Sequence, residues 1–361
     1  MRPFILLTIA LACCTHLHAQ HLAAYVDYRD HFIAFNKGTK ISLEHLPVQS
    51  YQVGGNSIGY LDNTGRLKVY YDGETTTLAE DFVRDFTVTD ALLFYQFRQQ
   101  FYVFDKGEKK LLTTDGRDPV ATDSLITYFD RNIFSFRVYY NGRDHGLDDR
   151  ADLAAVKNFE PGGNLVAFVD ANSAFKVFYR GQIHTLSASS GPQEYFPGTD
   201  VVAWFDEYDL SFKVFYKGEI TVLDNYRPRQ VWAGNGLVAY LTDNEEFKVF
   251  DNGSIKDLSP LPPTWVEVTD RVLLFADLTT FRMYYNGHRL ALENAVPAKI
   301  AADYRNVAYA GDDGRLRIIY RGERKDMGFA QFSEYHVYGD VVVYLTSQRK
   351  ASFYYNGRTY Q

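Results

Sequence analysis

Apolar and polar positions along this chain follow one strand pattern that occurs ten times. The clearest part is a short aromatic segment that runs into a two-residue turn ending in glycine. The ten copies read FIAFNKG, LKVYYDG, FYVFDKG, FRVYYNG, FKVFYRG, FKVFYKG, FKVFDNG, FRMYYNG, LRIIYRG and ASFYYNG. Their glycines are Gly38, Gly73, Gly107, Gly142, Gly181, Gly218, Gly253, Gly287, Gly322 and Gly357, at spacings of 34 to 39 residues. A constant period across a whole chain indicates one supersecondary unit repeated in an array.

The aromatic segment is apolar on both of its faces. The sixth residue before the glycine is Phe in seven copies and Leu in two, the fourth is mostly Val, and the second is Tyr in seven. These positions share one strand face because side chains alternate with period two. The third residue before the glycine, on the other face, is aromatic in nine copies. Both faces must therefore be covered by neighbouring sheets.

Tight turns separate the aromatic segment from three other strands. Pairs such as Asn286-Gly287 suit a type I′ turn, in which both residues have positive φ. A short strand follows the turn, and a β-branched strand such as LVAFVD at 165–170 precedes the aromatic segment. Before that strand, every internal junction carries Asn or Asp, which we expect in the left-handed conformation of a tight turn. These residues are Asn56, Asp90, Asp123, Asn164, Asp200, Asn235, Asp270, Asn306 and Asp340.

With a further strand before each junction, the unit is four short antiparallel strands in about 35 residues. Repeated four-stranded sheets that are apolar on both faces predict an all-β fold, a β-propeller of about ten blades. Two five-bladed propellers are the alternative. The first unit lacks its inner strand, and the last ends in a short outer strand. The order of elements resembles the repeats of TolB-like periplasmic propellers, a resemblance that implies architecture and no functional residue.

Residues 1–19 have the pattern of a signal peptide, with Arg2, a short apolar run and a small-residue cleavage site before Gln20. The remaining residues, 20–361, form the predicted propeller domain. We therefore expect a periplasmic or secreted protein, with a lipid anchor at Cys13 as the less favoured alternative. No later apolar stretch is long enough for a transmembrane helix. Both cysteines lie in the leader, so no disulfide is expected, and the acidic balance argues against a nucleic-acid partner.

Basic residues occupy one repeated position, five residues before the glycine. They are Lys68, Arg137, Lys176, Lys213, Lys248, Arg282 and Arg317. The preceding strand often ends in aspartate, at Asp27, Asp62, Asp130, Asp170, Asp206 and Asp277. Because the two positions meet near one hairpin, we predict a ladder of ion pairs worth ~0.2–1 kcal/mol each. The alternative is a free cationic ring for a polyanion.

Motifs for catalysis or metal binding are weak. Residues 55–59 match the G-x-S-x-G nucleophile elbow, but that motif needs a helix after the turn, and none is predicted here. The acidic hairpins lack the alternating oxygen ligands of a calcium loop. Histidines do not have metal-ligand spacing. We predict no catalytic residue, metal or cofactor.

Ligands of propellers usually bind at the axial mouth, where inner strands and their loops meet. The binding candidates there are Gln52, Glu160, Glu194, Arg229, Trp232, Glu267 and His336. The favoured function is an exported, non-enzymatic module that binds a protein or glycan partner outside the cytoplasm. The alternative is a propeller enzyme, a polysaccharide hydrolase or lyase, that uses carboxylates at the axial mouth.

Overall fold

The computed structural model describes residues 21–148, 159–188, 191–278, 280–328 and 332–361, which contain 39 strands and no helix. The predicted signal peptide and Cys13 lie outside these residues. The strands form ten antiparallel sheets, numbered here as blades 1 to 10 along the chain. Consecutive strands pair in order within each sheet, so every blade is a simple meander.

Each strand is named here by its position in the blade. The inner strands of blades 2 to 10 are β4 (Ser50–Val53), β8 (Asp85–Val88), β12 (Gly116–Ala121), β16 (Phe159–Pro161), β20 (Tyr195–Pro197), β24 (Gln230–Ala233), β28 (Trp265–Thr269), β32 (Ile300–Asp303) and β36 (Glu334–Tyr338). The second strands are β1 (Leu22–Val26), β5 (Ser57–Leu61), β9 (Leu92–Phe97), β13 (Leu125–Asp130), β17 (Leu165–Val169), β21 (Val201–Asp206), β25 (Leu237–Leu241), β29 (Val272–Asp277), β33 (Asn306–Ala310) and β37 (Val341–Leu345).

The aromatic segments form the third strands. These are β2 (Phe32–Asn36), β6 (Leu67–Tyr71), β10 (Gln100–Asp105), β14 (Ser135–Tyr140), β18 (Phe175–Tyr179), β22 (Ser211–Tyr216), β26 (Phe247–Asp251), β30 (Thr280–Tyr285), β34 (Leu316–Tyr320) and β38 (Ala351–Tyr355). The outer strands are β3 (Thr39–Glu44), β7 (Glu74–Ala79), β11 (Glu108–Thr113), β15 (Arg143–Asp148), β19 (Gln182–Ser187), β23 (Glu219–Asp224), β27 (Ser254–Ser259), β31 (His288–Glu293), β35 (Glu323–Asp326) and β39 (Arg358–Tyr360).

The aromatic side chains fill the spaces between neighbouring blades. Ten clusters of buried residues lie between the ten pairs of adjacent blades, and the tenth joins blade 10 to blade 1. In that closing cluster, the rings of Phe35 and Phe353 stack with centroids 4.3 Å apart. The ring is therefore closed by packing as a single ten-bladed propeller. This confirms the ten-bladed prediction and excludes the two-ring alternative.

Blade 1 has three strands in the described part of the chain, as predicted for a unit without an inner strand. The inner strands of blades 2 and 10 consequently meet across it. Tyr338, on β36, and Tyr51, on β4, interact through their side chains, and burial raises the pKa of both. This tyrosine pair bridges the space that an inner strand of blade 1 would occupy.

The ten glycine turns have the predicted type I′ geometry. At each one, the residue before the glycine and the glycine itself both have positive φ, as at Lys217 (52°) and Gly218 (98°). The prediction for the Asn and Asp junctions is wrong, because Asp270 is the only one of the nine with positive φ. Several of the others bind the next blade instead: the Asn306 amide donates to the carbonyl of Gly339 over 2.6 Å.

Gly218→Val tests the requirement for positive φ in isolation. A Cβ at Gly218 would have no neighbour within 4 Å, so only the backbone conformation penalises a side chain. We expect a loss of about 1–3 kcal/mol in the free energy of unfolding, measured by chemical denaturation. Lys217→Asn is the control, since asparagine tolerates positive φ and should leave stability unchanged or slightly higher. Equal stability of Gly218→Val and the wild type would contradict the turn assignment.

Candidate functional site

The inner strands place one residue each beside the central channel in the same register position. This channel row lies two or three residues before the turn that leads to the second strand. Its members are Gln52, Thr87, Val120, Glu160, Phe196, Trp232, Glu267, Ala301 and His336. Five of the seven residues predicted to line the axial mouth belong to this row. Glu194 lies just before β20, and Arg229 lies just before β24.

Two members of the channel row serve the fold directly. The Gln52 amide donates to the carbonyl of Phe86 and accepts from the backbone N–H of Val88, both over 2.9 Å, so it joins β4 to β8. The ring of Trp232 packs edge-on against Phe247 at 6.0 Å in the cluster between blades 7 and 8. Trp232 is therefore partly buried against the next blade.

The predicted carboxylates are only partly brought together. Burial raises the pKa of Glu160, and the nearby charge of Glu194 raises it further, so these two lie close on neighbouring blades. Glu267 is exposed on β28, two blades further along. His336 lies 3.6 Å from the carboxylate of Glu334 and stacks on Tyr338. The mouth thus contains a carboxylate pair rather than a cluster of three.

Arg229 does not point into a shared site. Its guanidinium pairs with Glu245 and lies 3.9 Å from Asp243, both on the turn between the second and third strands of blade 7. The side chain is half exposed at that rim. Arg229 lies five residues before the turn, whereas the channel-row residue of the same blade lies two residues before it. Because side chains alternate between the two faces of a strand, Arg229 lies on the opposite face.

A second group of acids, which the sequence prediction missed, lies at the turns that directly follow the channel row. The turns between inner and second strands line a cavity of about 420 Å³ there, with Asp123, Asp270 and Asp303 among its walls. Main-chain hydrogen bonds join these turns from blade to blade, for example Thr199 N–H to Gly234 O over 3.0 Å. The acids were recognised as turn residues, but their convergence depends on ring closure and has no signal within one repeat.

Burial and mutual repulsion raise the pKa values of these acids, so they hold their protons at a higher pH than an ordinary aspartate does. Burial raises the pKa of Asp270 to about 7, a hydrogen bond with Asn235 offsets part of this, and the charge of Asp123 adds to it. Burial also raises the pKa of Asp123 and of Asp303, and Asp303 accepts the Gly339 N–H over 2.7 Å. The native state therefore holds a proton at Asp270 that the unfolded chain releases near pH 4.

Asp270→Asn should stabilise the protein at neutral and alkaline pH. A raised carboxyl pKa means that stability falls as the pH rises from about 4 through 7, and the asparagine removes this cost of up to about 4 kcal/mol. We expect equal unfolding free energies of variant and wild type near pH 4 and a higher value for the variant at pH 8. Asp243→Asn, at an exposed turn, is the control and should differ by less than about 0.5 kcal/mol at either pH. A constant difference between Asp270→Asn and wild type from pH 4 to 8 would refute the assignment.

The row of basic residues is neutralised within the protein. All seven pair with carboxylates, and four use the predicted aspartate: Lys68 with Asp62, Lys176 with Asp170, Lys213 with Asp206 and Arg282 with Asp277. The other three basic residues pair with other acids. The predicted ladder is confirmed, with the correction that Asp27 and Asp130 bind turn backbone N–H groups instead. A free cationic ring is excluded.

The two ends of the propeller differ in their exposed apolar side chains. We call the end with the turns between second and third strands and the connectors between blades the loop face. In the described part of the chain, eleven large exposed hydrophobic residues lie on it: Tyr28, Leu46, Phe82, Ile133, Phe134, Tyr208, Leu210, Tyr226, Leu261, Leu278 and Val296. Five others lie on outer strands, and Val120 lies in the channel row. Among the described residues, the end with the glycine turns has no such residue.

Neither a metal site nor a membrane-spanning helix is found in the ranges that the structure describes. No three His, Asp or Glu side chains there are grouped so as to hold a metal ion. No helix of sufficient length and hydrophobicity to cross a bilayer is present among those residues either.

Comparison with solved structures shows low similarity. The chain is 17% identical to the computationally designed protein Ika8, with 76% of this chain and 96% of that chain covered and a TM-score of 0.35. It is 8% identical to the CRINKLY WD40 ectodomain of the Arabidopsis thaliana receptor kinase ACR4, with 66% and 91% covered and a TM-score of 0.31. PorZ, an essential surface component of the type-IX secretion system of Porphyromonas gingivalis, is 10% identical, with 94% and 51% covered and a TM-score of 0.27.

Family comparison is more informative. No curated protein matches the chain, and membership of the TolB-like family is not confirmed. A family profile described as the 10-bladed beta propeller domain matches residues 16–360. This range includes all ten sheets of the structure. The chain therefore belongs to the ten-bladed β-propeller family.

Proposed function

We propose that this protein is an exported, non-enzymatic scaffold that binds a protein partner outside the cytoplasm through its loop face. The observation that carries the proposal is the concentration of large exposed apolar side chains on that one face. Exposed apolar residues that are gathered on one surface are typical of interaction sites. The pattern of residues 1–19 supports export, and the proposal expects a mature protein that begins near Gln20, which intact mass measures.

The chemistry of the loop face favours a protein partner over a glycan. Its large exposed apolar residues are aliphatic or phenylalanine and tyrosine, such as Phe82 (77% exposed) and Tyr208 (83% exposed). Charged groups nearby largely neutralise each other, as in the pair of Arg227 with Glu207. An apolar surface with balanced charge suits the apolar centre of a protein interface.

The test is a comparison of two triple variants in a pull-down from the envelope fraction of the source organism. Changing Tyr208, Leu210 and Leu278 to serine removes apolar area from the loop face. Changing Ile220, Val222 and Ile255 to serine removes three exposed apolar side chains from outer strands, outside the loop face. We expect the first variant to capture its partner at least tenfold less than the wild type and the second to capture it normally. Equal capture by both variants would show that the loop face does not bind the partner.

A polysaccharide hydrolase or lyase is the second candidate function, supported by the proximity of Glu160 and Glu194. A raised carboxyl pKa beside a second carboxylate is a feature of acid–base catalysis. Replacing Glu160, Glu194 and Glu267 together by glutamine should leave stability nearly intact, since the channel solvates them. Loss of a measured glycan-cleaving activity in that variant would favour the enzyme, and normal partner capture would favour the scaffold.

A further inference from the structure

The outer strands of the blades form the rim of the propeller. In the described part of the chain, each of them pairs on one side with its third strand and has no strand on the other side. Main-chain N–H and C=O groups on that free side can pair with a strand of another chain, and proteins usually prevent such pairing with charged side chains. Charge along the edge therefore distinguishes a protected outer strand from an open one.

Two residues of the outer strand of blade 6 direct their main-chain groups to this free edge. The residues that flank a two-residue turn form a hydrogen-bonded pair, and hydrogen-bonded pairs alternate with non-hydrogen-bonded pairs along an antiparallel ladder. In blade 6, Tyr216 and Glu219 flank the turn, and the register is regular as far as Val222. Ile220 and Val222 therefore direct their N–H and C=O groups away from β22.

Among the outer strands that the structure describes, β23 alone is apolar at both of these positions. They lie two and four residues after the turn glycine, and every other outer strand has a polar or charged residue in at least one of them. Charged residues occupy the first position at Lys40, Lys109, Asp144, Arg289 and Arg324. In β23, Ile220 is 47% exposed, Val222 is 49% exposed and Thr221 between them is exposed as well. Three consecutive β-branched residues thus form an uncharged edge with high strand propensity.

This edge is complementary to a second copy of itself. Antiparallel pairing about a twofold axis at Thr221 places Ile220 of each copy opposite Val222 of the other. Because these are the residues with free main-chain groups, both pairs exchange two hydrogen bonds. The isoleucine and valine side chains also contact each other across the strands, which stabilises the pairing.

Charge is complementary in the same register. Gly218 of one copy is opposite Asp224 of the other, so the exposed side chain of Lys217 comes near the Asp224 carboxylate of the other copy. The twofold axis repeats this contact at the other end of the paired segment. A single strand therefore supplies both halves of the interface, as a twofold symmetric dimer requires.

We propose that the protein forms a twofold symmetric dimer in which two copies of β23 pair edge to edge. The four-stranded sheets of the two blades 6 then join into one continuous sheet. Because the rim of a propeller is convex, the neighbouring blades of the two copies diverge on either side of this contact. The interface is consequently small, and small interfaces are typical of weak association. The inference concerns the rim and does not depend on the loop-face function.

Sedimentation velocity of the purified protein tests the dimer. We expect the mean mass to rise towards twice that of the monomer between about 10 µM and about 1 mM protein. Thr221→Lys places two ammonium groups directly opposite each other and should keep the protein monomeric over this range. Thr76→Lys, at the equivalent exposed position of β7, is the matched control and should associate like the wild type. A monomeric wild type, or equal association of Thr221→Lys and wild type, would overturn the proposal.

A mixture of two variants tests the register. Thr221→Glu alone should also be monomeric, because two carboxylates then oppose each other. An equimolar mixture of Thr221→Lys and Thr221→Glu places opposite charges across the axis and should associate at least as strongly as the wild type. If the mixture stayed monomeric, pairing about Thr221 would be wrong.

The outer-strand triple variant of the pull-down separates the dimer from the loop-face function. This variant lacks Ile220 and Val222, so it should be monomeric at 1 mM protein and still capture the partner normally. A wild type that is monomeric but captures its partner through the loop face would overturn the dimer alone. Dimerisation of the triple variant at wild-type strength would equally contradict pairing through β23.

Discussion

Phe215→Ala is expected to lower the free energy of unfolding by about 3–5 kcal/mol, because it removes a fully buried aromatic ring from the space between two blades. Phe215 is 1% exposed and belongs to the cluster that joins blade 5 to blade 6. Its ring lies 5.7 Å from that of Tyr179 and 5.5 Å from that of His184. Strands on both sides hold the surrounding side chains, so the cavity cannot collapse. Chemical denaturation measures the loss.

Phe82→Ala is the matched control for this prediction. The same group is deleted, but Phe82 is 77% exposed on the loop face. We expect a change of less than about 0.5 kcal/mol. If Phe215→Ala were as stable as Phe82→Ala, the aromatic rows would not be packed between blades, and the propeller assignment would fail.

Asp340→Ala should destabilise the protein by about 1–3 kcal/mol at neutral pH, because it removes a buried carboxylate that pairs with two partly exposed arginines. Asp340 is 0% exposed and pairs with Arg305 and with Arg321, each over 2.8 Å. It also accepts a hydrogen bond from the amide of Asn306. This network joins the turns of blades 9 and 10.

The pH dependence separates this electrostatic effect from a packing defect. Burial alone would raise the pKa of Asp340, but the hydrogen bonds and charges of Arg305 and Arg321 hold it below its usual range. A depressed carboxyl pKa contributes stability above about pH 4 that is lost as the pH falls through the folded value. The difference between Asp340→Ala and the wild type should therefore shrink in acid.

Asp30→Ala is the control for the buried pair. The Asp30 carboxylate accepts a hydrogen bond from Arg349 over 2.9 Å, but both side chains are more than half exposed. Exposed pairs contribute about 0–1 kcal/mol. Equal losses for Asp30→Ala and Asp340→Ala would show that burial of the Asp340 network does not matter.

The repeated unit of the fold was predictable because each of its signals lies within about 35 residues. Positive φ at Lys217 and Gly218 follows from local turn chemistry, and the burial of Phe215 follows from alternation along one strand. The order of the four strands followed from the same repeat. Ring closure also agreed with the prediction, since the residues of β1 and β38 carry the same alternation as the interior blades.

Features that depend on contact between blades were not predictable in this way. Asn306 and Asp340 resemble turn residues, but their amide and carboxylate groups bind neighbouring turns. Asp123, Asp270 and Asp303 come from blades 4, 8 and 9 and meet only across the channel. Gln52 and Trp232 were predicted as binding candidates at the axial mouth, whereas their contacts with neighbouring blades depend on the distance to the next blade.

Closure of the ring without a shared strand has a consequence for how the ring unfolds. Repeat proteins behave approximately as one-dimensional arrays, in which stability is a sum of terms for each unit and each nearest-neighbour interface. No strand is shared across the junction of blades 10 and 1 among the described residues, so this junction is one interface term like the others, but with a smaller side chain at Ala351, where the other third strands have Phe or Leu. We therefore expect this junction to be the least stable interface of the ring. Unfolding should therefore begin at the junction of blades 10 and 1 and proceed along the ring in both directions.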